Sequence, residues 1–243
     1  SKLEDVIRAS TNKIVTNSSS SKSSTITHDP LFNKKIQAYY YQALYKTMIG
    51  QYDEAESLTA LIKEYLIPSI FPTISEDYER VFDDFAISSL CNEVEETIQL
   101  LKIQSQKDES LSLDNKQSTN VKDLKKMNKI WKIRFDQLPN NPEILLETLR
   151  IRSLVTDVTE SKPEWLRLVN VAIKCKYFEL SEETLNYLSD KGLKDDPDVH
   201  ICRATLLWNK GNNFEDKAIK YLKEKVDEKN PHFNLILGKW HQE

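Results

Sequence analysis

The chain is expected to fold as an all-α, TPR-like α-solenoid of stacked antiparallel helical hairpins, and three observations carry that expectation. Apolar residues recur at helical spacing through most of the 243 residues, and no stretch alternates with period two. Glycine occurs only four times, too few for sheets rich in hairpins or for phosphate-cradling loops, which need glycine at positive φ or against a ligand. The helical segments are separated mostly by turns of two to six residues, and turns that short fold neighbouring helices back on one another.

The elements follow in order. Residues 1–29 are rich in Ser, Thr, Asn and Lys and read as a mostly flexible segment, because such a composition buries too little apolar area to offset its ordering entropy; Lys2–Arg8 reads as the tail of an earlier helix. Residues 30–104 form a first helical block. Leu31, Ile36, Tyr40, Leu44 and Met48 make its first stripe, which Gly50 ends. Asp53 caps the next helix, carrying Ala55, Leu58, Leu61, Ile62 and Tyr65, and Pro68 and Pro72 are expected to stop it. Ser75 opens a helix with Val81, Phe82, Phe85 and Ala86. Cys91 to Ile103 forms a separate one with Val94, Ile98 and Leu101. Residues 105–122 are polar and low in complexity and read as a loop.

A second block covers 123–243. Its first helix holds Met127, Ile130, Trp131 and Phe135. Pro142 starts one through Leu145, Leu149 and Leu154, and Pro163 another through Trp165, Leu168, Val169 and Ala172. Helices at Glu179–Leu188, Val199–Trp208, Phe214–Val226 and from Pro231 onward complete it, with Gly192 and Gly211 as breaks. A turn-plus-helix pattern recurs three times. An aromatic (Tyr52, Phe178, Phe214) fills the turn, and a small residue (Ala55, Ser181, Ala218) lets two helices approach. Phe178 and Phe214 lie 36 residues apart, close to the ~34-residue TPR period.

Composition excludes several function classes. Lys plus Arg number 34 against 38 Asp plus Glu, a net charge of −4, which argues against a nucleic-acid partner. Cys91, Cys175 and Cys202 are spread far apart in apolar helical patterns and read as buried thiols, with no spacing that suits zinc. No apolar run reaches the ~18 residues of a membrane span, so no membrane insertion is expected. The chain begins without Met and shows no signal-peptide core, which fits an internal fragment. His28, His200, His232 and His241 have no nucleophile or carboxylate at a telling spacing. Glu95-Glu96 and Glu182-Glu183 are ordinary solvated helix carboxylates, as Lys122 to Lys126 is an ordinary solvated basic run. No phosphate loop or kinase catalytic string appears, so no catalytic, cofactor-binding or metal-ligating residue is assigned. Trp131, Trp165, Trp208 and Trp240 read as core anchors.

A co-linear series of motifs resembles the FAT region of TOR-type, PI3K-related serine/threonine protein kinases. It includes Tyr39-Tyr40-Tyr41-Gln-Ala-Leu44, Glu93-Val-Glu-Glu-Thr-Ile98 and Ile130-Trp131-Lys-Ile-Arg134. It continues through Ile151-Arg152-Ser-Leu-Val155, Trp165-Leu-Arg167, Leu180-Ser-Glu-Glu-Thr-Leu185, Asp196-Pro-Asp-Val199 with Leu207-Trp208, and Leu237-Gly-Lys-Trp240. The resemblance implies a non-catalytic scaffold in a nutrient- and growth-signalling kinase, clamping that protein's own kinase domain and contacting TOR-complex subunits. It implies a cytoplasmic place, peripheral on endomembranes within a larger complex. It also implies a basic cluster for inositol hexakisphosphate. Arg134 and Arg152 match that cluster, whereas His232 and Ile236 stand where basic residues belong near the C-terminal motif. The alternatives are a free-standing TPR-like adaptor and the FAT fragment of another PI3K-related kinase.

Overall fold

A computed structural model of the chain describes residues 30–73, 78–108, 116–211, 214–226 and 230–240. The expectations for residues 1–29, Ser75 and His241 lie outside the described residues. All regular structure among the described residues is helical. The chain divides into two compact units, Ser1–Asn120 and Val121–Glu243.

The first unit contains α1 (Pro30–Met48), α2 (Tyr52–Thr73) and α3 (Tyr78–Asp108). α1 packs on α2, α2 on α3, and α1 also touches α3. Ile36, Tyr40, Ala43 and Thr47 form the buried face of α1, and Ala55, Thr59, Ile62 and Leu66 that of α2. Both follow a 4-3-4 spacing, the seam of nearly aligned helices. The stripe expected on α1 is therefore turned slightly: Met48 is exposed and Ala43 and Thr47 are inside. Polar ties set the register of α2 against α3. Thr59 Oγ1 donates to Glu95 at 2.9 Å, Lys63 pairs with Glu95 at 2.6 Å, and Lys102 reaches Glu56 at 3.0 Å. Residue numbers rise on α2 as they fall on α3, so the two are antiparallel.

Three readings of breaks are corrected. α2 runs through Pro68 and Pro72 to Thr73. Each proline deletes an i→i−4 bond and its ring crowds the carbonyl four residues back, but its φ is already helical, so it can be carried in the last turns of a helix without ending it. The two helices expected around Phe85 and Val94 are one, α3, because no Gly or Pro separates them. The low-complexity stretch is largely helical at both ends, with α3 extending to Asp108 and the next helix starting at Lys116. Its Gln, Lys and Ser residues are tolerated in a helix once a buried neighbouring segment has nucleated it.

The second unit holds α4 (Lys116–Gln137) from Val121 onward, α5 (Pro142–Arg152), α6 (Lys162–Lys174), α7 (Phe178–Leu188), α8 (Pro197–Lys210), α9 (Glu215–Lys225) and α10 (Pro231–Trp240). A π-helical turn, Ser189–Leu193, follows α7 and contains Gly192 at φ +96°. That backbone region is nearly closed to side chains with Cβ, which is why glycine sits there. One core joins Phe135, Leu149, Trp165, Leu168, Leu185 and Leu206. A second joins Ala204, Ala218, Leu222, Phe233 and Trp240, with Trp208 stacked on Trp240 at 4.6 Å.

α6 with α7, and α8 with α9, are successive antiparallel hairpins. Trp165 early on α6 meets Tyr187 late on α7, and His200 early on α8 meets Tyr221 late on α9. α6 and α8 also pack on each other. Lys162 pairs with Asp196 at 2.9 Å and Asp198 at 2.8 Å, joining the two helix starts across 34 and 36 residues. Ser181 and Ala218 are fully buried at the seams, as is Ala55 in the first unit.

Candidate functional site

The densest arrangement of motif residues lies where α4, α5 and α6 meet. Asn141 caps α5, its side chain accepting from Glu143 N at 2.9 Å and Ile144 N at 3.4 Å, and Pro142 takes the first helical position. That fixes the phase that brings Arg152, the last residue of α5, against α4. Arg152 is 5% exposed. Its Nη1 donates to the Trp131 carbonyl at 2.8 Å, and its guanidinium carbon lies 5.2 Å from the Trp131 ring centre and 5.7 Å from that of Phe135. From α6, Arg167 donates to the Phe135 carbonyl and, at 2.8 Å, to that of Leu138, with its guanidinium 5.1 Å from the Phe135 ring. The carbonyls of Phe135 and Leu138 belong to the open end of α4, where cations are favoured by the helix dipole. Arg152 thus ties α5 to the body of α4, and Arg167 ties α6 to its open end.

Beside Arg152 is a cleft of about 220 Å³. Trp131 and Leu149 supply its apolar surface. Lys129, Lys132 and Arg152 border it from α4 and α5, and Glu160 and Glu164 from the turn before α6 and its first turn.

The other singled-out residues are scattered. Arg134 is half-buried on α4, while His232 and Ile236 lie on α10, exposed and half-buried respectively. His200 is not a bare helix-face histidine: its Nδ1 lies 2.8 Å from the Tyr221 hydroxyl. Burial pushes the His200 pKa down and the Tyr221 pKa up. Cys91 and Cys202 are buried, and burial raises both thiols to about 12. Cys175 is exposed, against expectation, because it follows the last residue of α6 at the turn rather than on its inner face. Glu95 and Glu182 do more than solvate helices, since each is ion-paired, to Lys63 at 2.6 Å and Lys210 at 2.7 Å. Trp131, Trp165 and Trp240 are buried, and Trp208 is half-buried. Among the described residues no group of His, Cys, Asp and Glu is placed to hold a metal, and no helix is long and apolar enough to cross a membrane.

Lys162 and Arg167 escaped the sequence reading. Lys162 offered a signal: a cation in the first turn of a helix opposes the dipole and implies a carboxylate partner elsewhere. Arg167 offered none beyond its place in the Trp165-Leu-Arg167 string.

Successive helical hairpins, joined at a 34- to 36-residue offset by Lys162 and pinned to α4 by two arginines, define a helical-repeat protein. The chain belongs to the FAT domain family, which matches it over residues 12–238. It is 26% identical over 149 residues, 61% of its length, to the serine/threonine-protein kinase tor1 of Schizosaccharomyces pombe. It is 23% identical over 193 residues, 75% of its length, to the serine/threonine-protein kinase TOR2 of Saccharomyces cerevisiae. The matched segments are 6% and 7% of those relatives' own lengths. No solved structure matches the chain.

Proposed function

We propose that this chain is the FAT helical-repeat portion of a TOR-type serine/threonine protein kinase and serves there as a non-catalytic scaffold. The observation that carries the reading is the family match over residues 12–238 together with relatives that are both TOR kinases. In this reading the stacked hairpins clamp the parent protein's kinase domain and offer surface to TOR-complex subunits. Catalysis, nutrient and growth signalling, and a cytoplasmic or endomembrane-peripheral place belong to the parent protein. The physical basis is that repeat hairpins couple mainly to their neighbours, so load applied at one end is passed along a row of interfaces. Contacts such as Lys162 to Asp196 and Asp198 are interfaces of that kind.

The test is the size of the endogenous protein, read by immunoblot with an antibody raised against residues 125–243. A band of hundreds of kilodaltons that co-precipitates serine/threonine kinase activity is expected. A band near the 28.3 kDa of this chain alone overturns the reading in favour of an independent helical-repeat adaptor.

A further inference from the structure

The cleft beside Arg152 sorts its charges by wall. The cations Lys129, Lys132 and Arg152 come from α4 and the end of α5, and the carboxylates Glu160 and Glu164 from the chain leading into α6. Trp131 and Leu149, from the same two helices as the cations, add apolar lining. We propose that this cleft binds a compact zwitterion, an ammonium and a carboxylate a few ångströms apart on a small apolar body, the chemistry of a free α-amino acid.

Two features of Glu164 support this. Its Oε2 is shut off from solvent with no hydrogen-bond partner, a costly arrangement that an ammonium donor relieves. Ser161 and Glu164 also have the spacing of a capping box, in which the carboxylate turns back to the Ser161 N–H. Here that N–H bonds instead to the Asp157 carbonyl at 3.3 Å, so the carboxylate is not used to close its own helix. The terminal torsion of Glu is soft, so Oε2 can turn towards a guest without disturbing the backbone.

Charge selects the class of guest. A polyanion meets Glu160 and Glu164, and a simple cation meets Lys129, Lys132 and Arg152. A ligand with both signs complements both walls. The volume of about 220 Å³ is below the usual range for drug-sized ligands and suits a small molecule.

The test uses the 243-residue chain and four probes: L-valine, isobutylamine (which lacks the carboxylate), isovalerate (which lacks the ammonium) and inorganic pyrophosphate. Saturation-transfer NMR and tryptophan fluorescence report binding. Valine is expected to bind with Kd on the order of 1 mM, and each single-charge analogue about tenfold more weakly or worse. Glu164→Gln and Lys132→Met are each expected to weaken valine about tenfold. A thermal melt checks that the variants fold, and the exposed Glu160→Gln carries the test if Glu164→Gln does not. The proposal is overturned by an absence of saturable valine binding or by isobutylamine or isovalerate binding as well as valine. It is equally overturned if pyrophosphate binds more tightly than valine and Glu164→Gln strengthens it, the signature of an anion site.

Discussion

Replacing Arg152 by Lys keeps the charge and removes the planar fork, so it separates geometry from electrostatics at the junction of α4 and α5. Arg152 is 5% exposed, donates to the Trp131 carbonyl at 2.8 Å and lies over two aromatic rings. A hydrogen bond from a charged group contributes about 1.5–3 kcal/mol, and a desolvated cation over an aromatic face about 2 kcal/mol. Lysine recovers part of each but cannot stack and bond at once, so Arg152→Lys is expected to cost about 2–4 kcal/mol. Against a typical domain stability of about 5–15 kcal/mol that is a large fraction. Urea unfolding followed by tryptophan fluorescence reads it as a midpoint lower by about 1 M or more with an unchanged slope. Arg150→Lys is the control. Arg150 is exposed and pairs only locally with Glu147 at 2.8 Å, so its replacement is expected to cost about 0.5 kcal/mol or less. If Arg152→Lys unfolds within about 0.5 kcal/mol of the wild type, the fork is not what holds α5 to α4 and the account of this junction is wrong.

Four further outcomes are expected. Lys176 stands at φ +64° just beyond α6, where a non-glycine residue is strained by about 1–2 kcal/mol, so Lys176→Gly should raise the melting temperature by about 1–2 °C after the entropic penalty of glycine. Ala218 is fully buried where α8 and α9 meet, so Ala218→Leu should destabilise by about 1–3 kcal/mol, whereas Leu at the neighbouring exposed Lys217 should change little in the same melt. Because the folded pKa of His200 is depressed, its neutral form favours the fold. That contribution is complete above the unfolded value of about 6.5 and is lost as pH falls below it through the folded value. The wild type should therefore lose stability relative to His200→Gln between pH 7 and pH 5, and parallel urea midpoints across that range would refute the assignment. A thiol reagent at pH 8 should label Cys175 quickly and leave Cys91 and Cys202 unreacted until urea unfolds the chain, read as one labelled cysteine by mass spectrometry.

How legible the fold was in the sequence depended on what each residue does locally. Glycines were read correctly where they force a conformation, whereas Asp53, expected to cap α2, lies inside its first turn because the helix already starts at Tyr52. Gly192 and Gly211 both sit at positive φ, while the cap at Asp196, which accepts from Asp198 N at 2.9 Å to start α8, was not read from the sequence. The small residues at the seams were legible for a related reason, since Ser181 and Ala218 recur beside the aromatics that mark the turns. The misread points were those where a local rule is weak against continued packing. Pro68 and Pro72 disfavour a helix without forbidding it, and a polar run with no Gly or Pro is silent about whether it stays helical. Cys175 was misread because composition cannot tell the last inward position of a helix from the first outward one.

The site was less legible than the fold because its parts are distant in sequence and ordinary one at a time. Arg152 and Arg167 stood in the sequence only as members of motif strings, and their shared role shows once α4 offers backbone carbonyls to both. Lys162 has the same logic on a longer span. A cation at a helix start is mildly unfavourable alone, yet here it meets Asp196, which caps α8, and Asp198 in the first turn of α8, where carboxylates are favoured. The ion pair also holds Lys162 protonated, since hydrogen bonds to Asp198 and Asp196 raise its pKa despite partial burial. Stability from a raised lysine pKa is present below the unfolded value of about 10.4 and is lost as pH climbs through the folded one. One helix start is thereby stabilised at the expense of another, and the exchange works only because the two hairpins stack. Nearest-neighbour coupling of this kind is what makes a row of individually marginal hairpins cooperative. Lys162→Met should therefore be felt at the start of α8 as well as at its own helix, as faster amide exchange at both ends of the pair and not at α9.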